Sequence, residues 1–244
     1  MRSSRPLQLC ILALALSATA CAAPAPTNIL ENPGFEEGRA PWTDMGSAAW
    51  GAFDLVDDPV HSGKASAHLP VRWATGRPGQ PVKVYGVVQE PSPETFPDRL
   101  SGWFRVGDWW KESPATQLYV QVVVIVWDDP KCQELTGIPP SQPIKNYQIR
   151  YYLGGIDEPP FVLANARYKF IAKGLPPRDE WVRFDIPIKD DFRELWGHEP
   201  SGFSSLRVLF EARWDGKPEG TGVRADVWYD DLALEHRPGA DSVR

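Results

Sequence analysis

Proline sets the first limit on this chain. Twenty-five prolines and 20 glycines are scattered through 244 residues. A proline inside a helix removes a backbone hydrogen bond and clashes with the preceding turn, so long helices have little room. Between the breaks lie short runs rich in Val, Ile, Tyr, Phe and Trp, the residues that suit a pleated, half-buried surface. These runs are 50–56, 65–73, 82–89, 100–106, 117–127, 147–153, 168–172, 182–188, 205–214 and Val223–Glu235. Several alternate with period two, the mark of a strand with one buried face. Leu206, Val208, Phe210 and Ala212 share one face, and Arg207, Leu209, Glu211 and Arg213 share the other. Val182, Phe184 and Ile186 likewise oppose Arg183 and Asp185. The 117–127 run is almost continuously apolar and reads as a central strand covered on both faces. Residues 190–197 alone suggest a helix, a short one capped by Asp190 or Asp191 and ended by Gly197. About ten strands and one short helix predict an all-β, antiparallel sandwich filling residues 28–236 as a single domain, with a tail at 237–244.

The chain opens with a different kind of segment. Arg2 and Arg5 precede an apolar run from Leu7 to Leu16, and Ala18-Thr-Ala-Cys21 follows as a small-residue cleavage site. Ten apolar residues fall short of the ~20 a membrane-spanning helix needs, so residues 1–20 read as a signal peptide. Cys21 resembles the lipidated cysteine of bacterial lipoproteins, although Leu is more usual than Ala at position 18. That resemblance implies a lipid anchor at Cys21, a tether over 21–27, and an outer-membrane lipoprotein of the cell envelope. Ordinary cleavage nearby, giving a soluble secreted protein, is the alternative.

With Cys10 lost in the leader, a lipidated Cys21 leaves Cys132 alone and excludes a disulfide framework. Without lipidation, a Cys21–Cys132 bridge remains open. Losing Arg2 and Arg5 leaves 24 basic residues against 32 acidic ones, a net charge of −8. Such a balance argues against a nucleic-acid partner, which wants a basic footprint. Membrane contact is expected through the lipid anchor only.

Residues 28–38, Asn-Ile-Leu-Glu-Asn-Pro-Gly-Phe-Glu-Glu-Gly, open the folded part, with Phe35 and Glu36 pointing opposite ways. They are expected to pair with the strand at the chain's end, Asp226-Val-Trp-Tyr-Asp-Asp-Leu-Ala-Leu-Glu235.

Four stretches resemble one family. Asn32-Pro-Gly-Phe-Glu36 with Trp42, Val60-His-Ser-Gly-Lys-Ala65, Leu100-Ser-Gly-Trp-Phe104 and Trp228-Tyr-Asp-Asp-Leu-Ala-Leu234 are similar to the opening, early hairpin, middle strand and last strand of carbohydrate-binding modules with a galactose-binding-like jelly roll. The resemblance spans 28–236, but this chain is longer than the usual module, chiefly across 108–180. It implies a jelly-roll fold, a poly- or oligosaccharide partner and a structural calcium. Carried over residue by residue, the calcium falls to Glu36 and Asp231, with backbone oxygens near Ser62–Lys64. Oxygen donors of this kind suit calcium, which takes 6–8 of them. The competing reading makes both residues turn acids with salt-bridge or solvent partners.

Sugar recognition needs aromatic faces for stacking and a few polar groups that read hydroxyls. Period two groups Tyr85 with Gln89, Trp103 with Arg105, Tyr119 with Gln121, Arg150 with Tyr152, and Glu211 with Arg213. Strand pairing would gather them into one cleft. Trp109 and Trp110 follow Gly107-Asp108 at a strand end, where adjacency turns one ring outward as a stacking platform. Against this stands the common fate of an aromatic in a sandwich, core packing. No catalytic signature accompanies these residues: the four histidines lack metal-ligand spacing and no GxSxG elbow occurs. Asp185 and Glu211 are the best-placed strand carboxylates for glycosidase chemistry. The expected function is therefore non-catalytic glycan binding. The alternatives are a hydrolase or lyase on the concave face, or a structural or adhesion lipoprotein of the envelope.

Overall fold

The structure is a computed structural model, and residues 27–46, 50–73, 83–215 and 221–237 are described. Its strands are β1 (Trp50–Gly51), β2 (Asp54–Val56), β3 (Ser66–Trp73), β4 (Lys83–Gln89), β5 (Arg99–Lys111), β6 (Leu118–Trp127), β7 (Asn146–Gly154), β8 (Ala166–Phe170), β9 (Trp181–Ile186), β10 (Ser205–Trp214) and β11 (Val223–Glu235). Two helices, α1 (Cys132–Thr136) and α2 (Ile188–Trp196), complete the described elements. The strands form two stacked sheets in a jelly roll. The six-stranded sheet runs β1-β4-β10-β6-β7-β8 and the five-stranded sheet β2-β3-β11-β5-β9.

Period two explains the core between them. Leu206, Val208, Phe210, Ala212 and Trp214 of β10 meet Phe104, Val106, Phe184, Val227 and Tyr229 of the other sheet in one buried cluster. Strand β6 is covered on both faces, as its continuous apolar run predicts. Gly197, in the left-handed conformation (φ 65°), ends α2 where expected.

Three expectations change. The pairing is not wholly antiparallel, because β1–β4 and β7–β8 are parallel. The 50–56 run is two strands, one in each sheet. Its chain crosses the sandwich rim at Phe53, which is fully buried. Gly51 allows the crossing, since a Cβ there would sit 2.1 Å from the Tyr85 ring. Residues 190–197 are not alone in forming a helix, because the segment between β6 and β7 contains α1. Its Cys132 is buried and free, and burial with Asp129 and Asp128 nearby pushes the thiol up to about 11.

Both ends of the fold meet on β11. Asn28 bridges Glu235, on the flank that β3 leaves free beyond the Ala67–Tyr229 pair. Its side chain clasps the strand: Nδ2 donates to the Leu232 carbonyl (2.8 Å), and Oδ1 accepts from the Leu234 amide (2.9 Å) and the Leu30 amide (3.1 Å). Phe35 is buried in the core and stacks near Trp42 at 5.2 Å, while Glu36 turns outward. Cys21 and the leader lie outside the described residues. No described helix is long and apolar enough to cross a membrane.

Candidate functional site

The outer face of the six-stranded sheet carries the candidate site. Register fixes which side chains stand in line there, because directly paired residues share a face. The first row across the sheet is Tyr119, Arg213 and Val84. The second is Phe170, Tyr152, Gln121 and Glu211, ending on Gly86. The third is Tyr168, Arg150, Val123, Leu209 and Val88. A fourth row holds Gln148, Ile125 and Arg207, and a fifth Trp127 with Ser205. Six of the sequence-predicted residues, Tyr119, Gln121, Arg150, Tyr152, Glu211 and Arg213, thus fall in three adjacent rows on one face.

The floor is polar and closely held. Tyr119 donates its hydroxyl to Asp215, whose other oxygen accepts from Arg213 Nε at 2.7 Å. Gln121 donates to the Glu211 carboxylate. Burial, with Asp215 alongside, holds the Tyr119 hydroxyl well above its ordinary value despite the Arg213 charge. Burial alone would lower the Arg213 guanidinium, but Tyr119, Glu211 and Asp215 outweigh it and raise the group, so it stays charged. Burial also raises the Tyr152 hydroxyl.

Aromatic rings border this floor. Tyr152 lies 4.8 Å from Phe170 and parallel to Tyr168 at 6.3 Å. On the opposite border the Trp50 ring lies over Gly86, where a Cβ would meet it at 2.9 Å. Trp127 stands at the far end under the Arg207 guanidinium, 5.2 Å from its ring centre.

Above the floor sits a loop residue. Phe161 lies 5.2 Å from the Arg150 guanidinium and 5.1 Å from that of Arg213. These arginines stand one row on either side of Gln121, on the two strands flanking β6. The ring between them therefore covers the second row. Along this face several buried polar atoms lack a hydrogen-bond partner: Gln121 Oε1, Tyr152 Oη, Arg150 Nε and Nη1, Gln148 Oε1 and Trp127 Nε1. They follow β6 and β7 through four successive rows.

The other predicted residues lie elsewhere. Tyr85 and Gln89 are on the core side of β4. Tyr85 packs against the core, and Gln89 exchanges two hydrogen bonds with the Glu31 backbone at 2.7 and 3.0 Å. Trp103 and Arg105 face outward, but from the five-stranded sheet. Trp103 stacks on His61 at 4.0 Å, and Arg105 lies over Trp228 at 6.0 Å. Trp109 is buried in the core, whereas Trp110 is 44% exposed. Trp110 lines a pocket of about 470 Å³ with Lys111, Asp157, Leu175 and Arg178, at the end of the sandwich. Asp185 faces outward from the five-stranded sheet, bound by Arg99 and Arg183, so it and Glu211 cannot flank one glycosidic bond.

Glu36 and Asp231 do converge on the 61–65 hairpin, together with Asp230. Their oxygens, however, face donors. Glu36 accepts from the amides of Lys64 (2.9 Å) and Ala65 (3.2 Å), and Asp231 from Ser62 Oγ (2.8 Å) while contacting His61 Nδ1 (2.5 Å). Asp230 accepts from the amides of His61, Ser62 and Asp231. The hairpin presents N–H groups where calcium would require carbonyl oxygens, so this donor set does not fit the ion. Among the described residues, no group of three or more His, Cys, Asp or Glu is placed to hold a metal.

No protein-family model matches this sequence. No curated protein matches it either. Solved structures similar to it include TmCBM61 in complex with beta-1,4-galactotriose, with TM-score 0.40 and 13% identity, covering 86% of this chain and 99% of that one. A carbohydrate-binding module specific for non-crystalline cellulose, CBM28, aligns with TM-score 0.39 and 11% identity, covering 87% of this chain and 97% of that one. An endo-beta-1,4-glucuronan lyase from the fungus Trichoderma reesei aligns with TM-score 0.41 and 11% identity, covering 88% and 96%.

Proposed function

We propose that the domain binds a poly- or oligosaccharide non-catalytically, along the outer face of its six-stranded sheet. The observation that carries this reading is the file of unpartnered polar atoms along β6 and β7, from Gln121 and Tyr152 to Trp127. A buried donor or acceptor left unpaired costs about 1–3 kcal/mol, so such a file is unfavourable until something satisfies it. A sugar chain supplies alternating hydroxyl donors and acceptors on a rigid ring, with apolar faces that stack on aromatics. Trp50, Tyr168, Phe170 and Trp127 offer rings along the same face. Binding on this reading displaces the Phe161 loop from the floor. Within the same proposal, residues 1–20 export the chain and Cys21 anchors it to the bacterial envelope by a lipid.

Affinity electrophoresis against a panel of soluble polysaccharides tests the binding. Retardation by at least one polymer, weakened in Gln121→Ala and Tyr152→Phe, is the expected result. Absence of retardation on every polymer would refute it.

A further inference from the structure

Resting on that reading of the face, we infer that the sugar it takes is acidic, and that Arg150 reads a carboxylate at the place now held by Phe161. Three observations lead there. First, Arg150 presents two adjacent guanidinium atoms, Nε and Nη1, that are buried and without a hydrogen-bond partner. The Nε–Nη2 edge of a guanidinium, the edge Arg99 turns on Asp185, takes a carboxylate with two parallel hydrogen bonds, and the unpartnered Nε is one half of it. Second, among the described residues no acid forms an ion pair with Arg150, whereas Arg213 has Asp215 at 2.7 Å. A half-buried guanidinium with two unpartnered nitrogens and no counter-charge among the described residues is costly, and an anion from outside relieves it. Third, the face of Phe161 lies over it, at 5.2 Å. A ring face attracts a cation far less than an ionised carboxylate does, so the ring is a displaceable occupant.

The surrounding floor divides the labour. Glu211 stands two strands away and one row along from Arg150, about 12 Å at ordinary strand spacing. It is held by Gln121. A carboxylate on Arg150 is therefore well removed from the Glu211 charge. Unpaired Gln121 Oε1 and Gln148 Oε1, one row to either side of Arg150, accept from hydroxyls of the ring bearing the carboxylate and of its neighbour. A neutral hexose would satisfy these acceptors and leave Arg150 unpaired.

The test uses the whole chain and matched polymers: polygalacturonate, polyglucuronate and alginate, each against its methyl-esterified form, which removes the charge and keeps the backbone. At least one acidic polymer is expected to bind about tenfold or more tighter than its ester, as losing a bidentate charged pair implies. Arg150→Lys keeps the charge but not the fork, and Arg150→Met removes both. Each is expected to abolish the preference, so that acid and ester bind alike, with thermal unfolding confirming that both variants fold. Ester and acid binding alike, or an acid preference unchanged in both variants, would overturn the inference and leave glycan binding standing. No binding to any acidic or neutral polymer overturns both.

Discussion

Replacing Asn28 by Ala isolates the seam that joins the two ends of the fold. The side chain makes three hydrogen bonds, to the Leu232 carbonyl and from the Leu234 and Leu30 amides, at 2.8, 2.9 and 3.1 Å. Each is worth about 1 kcal/mol net. Partial hydration of the freed groups at this half-buried edge brings the total to about 2–3 kcal/mol. For a domain of this size, 1 kcal/mol moves the melting temperature by about 2–4 °C. The variant should therefore melt about 5–10 °C lower, by circular dichroism or scanning fluorimetry. The backbone bond from Ile29 to Leu234 remains, so unfolding should stay a single transition. Asn28→Asp keeps the acceptor and loses the donor, and should fall between the two. A drop below about 1 °C in the alanine variant would mean that the clasp adds nothing to the backbone pairing and that the reasoning fails.

Phe161→Ala removes two cation–π contacts, at a cost of about 1–2 kcal/mol of stability, while glycan association becomes faster; stopped-flow binding with slower or unchanged association would count against the loop as cover. Chelation with EDTA should leave the melting temperature within about 1 °C, because backbone amides already occupy the Glu36 carboxylate and the Ser62 hydroxyl and His61 ring already occupy that of Asp231; a concentration-dependent rise on adding calcium would restore the ion. Burial pushes the Asp129 carboxyl up, but the Lys131 amide, Tyr147 hydroxyl, His198 and Ser201 amide outweigh it and hold its pKa below the usual carboxylate value. Its stabilising effect is thus complete above about pH 4 and fades as pH falls through the lower folded value. Asp129→Asn should accordingly lose about 2–4 kcal/mol at pH 7 and converge on the parent near pH 2, as urea titrations would report.

The sequence carried the strand faces well wherever one face was polar. Strand β10 alternates apolar with charged residues, so Glu211 and Arg213 could be turned outward without a structure. Strand β4 gave no such cue: Val84 and Val88 cover its outer side as Tyr85 and Val87 cover its inner one. With both faces apolar, parity has nothing to distinguish, and Tyr85 and Gln89 were assigned to the wrong face. Trp103 and Arg105 were turned outward correctly, but period two within a strand cannot say which sheet the strand joins. Phe161 left no trace, because a ring beside Pro159-Pro160 in a loop has no period. Tyr168 and Phe170 did carry a signal, since their alternation in an expected strand puts both on one face, and the register then sets that face beside Tyr152.

The clasp at Asn28 also decides how this domain can be mounted. Asn28 and Glu235 lie side by side on the five-stranded sheet, across the core from the outer face of the six-stranded sheet. A segment joined ahead of Asn28 would therefore start from the sheet opposite the proposed binding face. Tension between a surface behind and a polymer in front would run through the core, while a pull on both chain ends together would open the seam first.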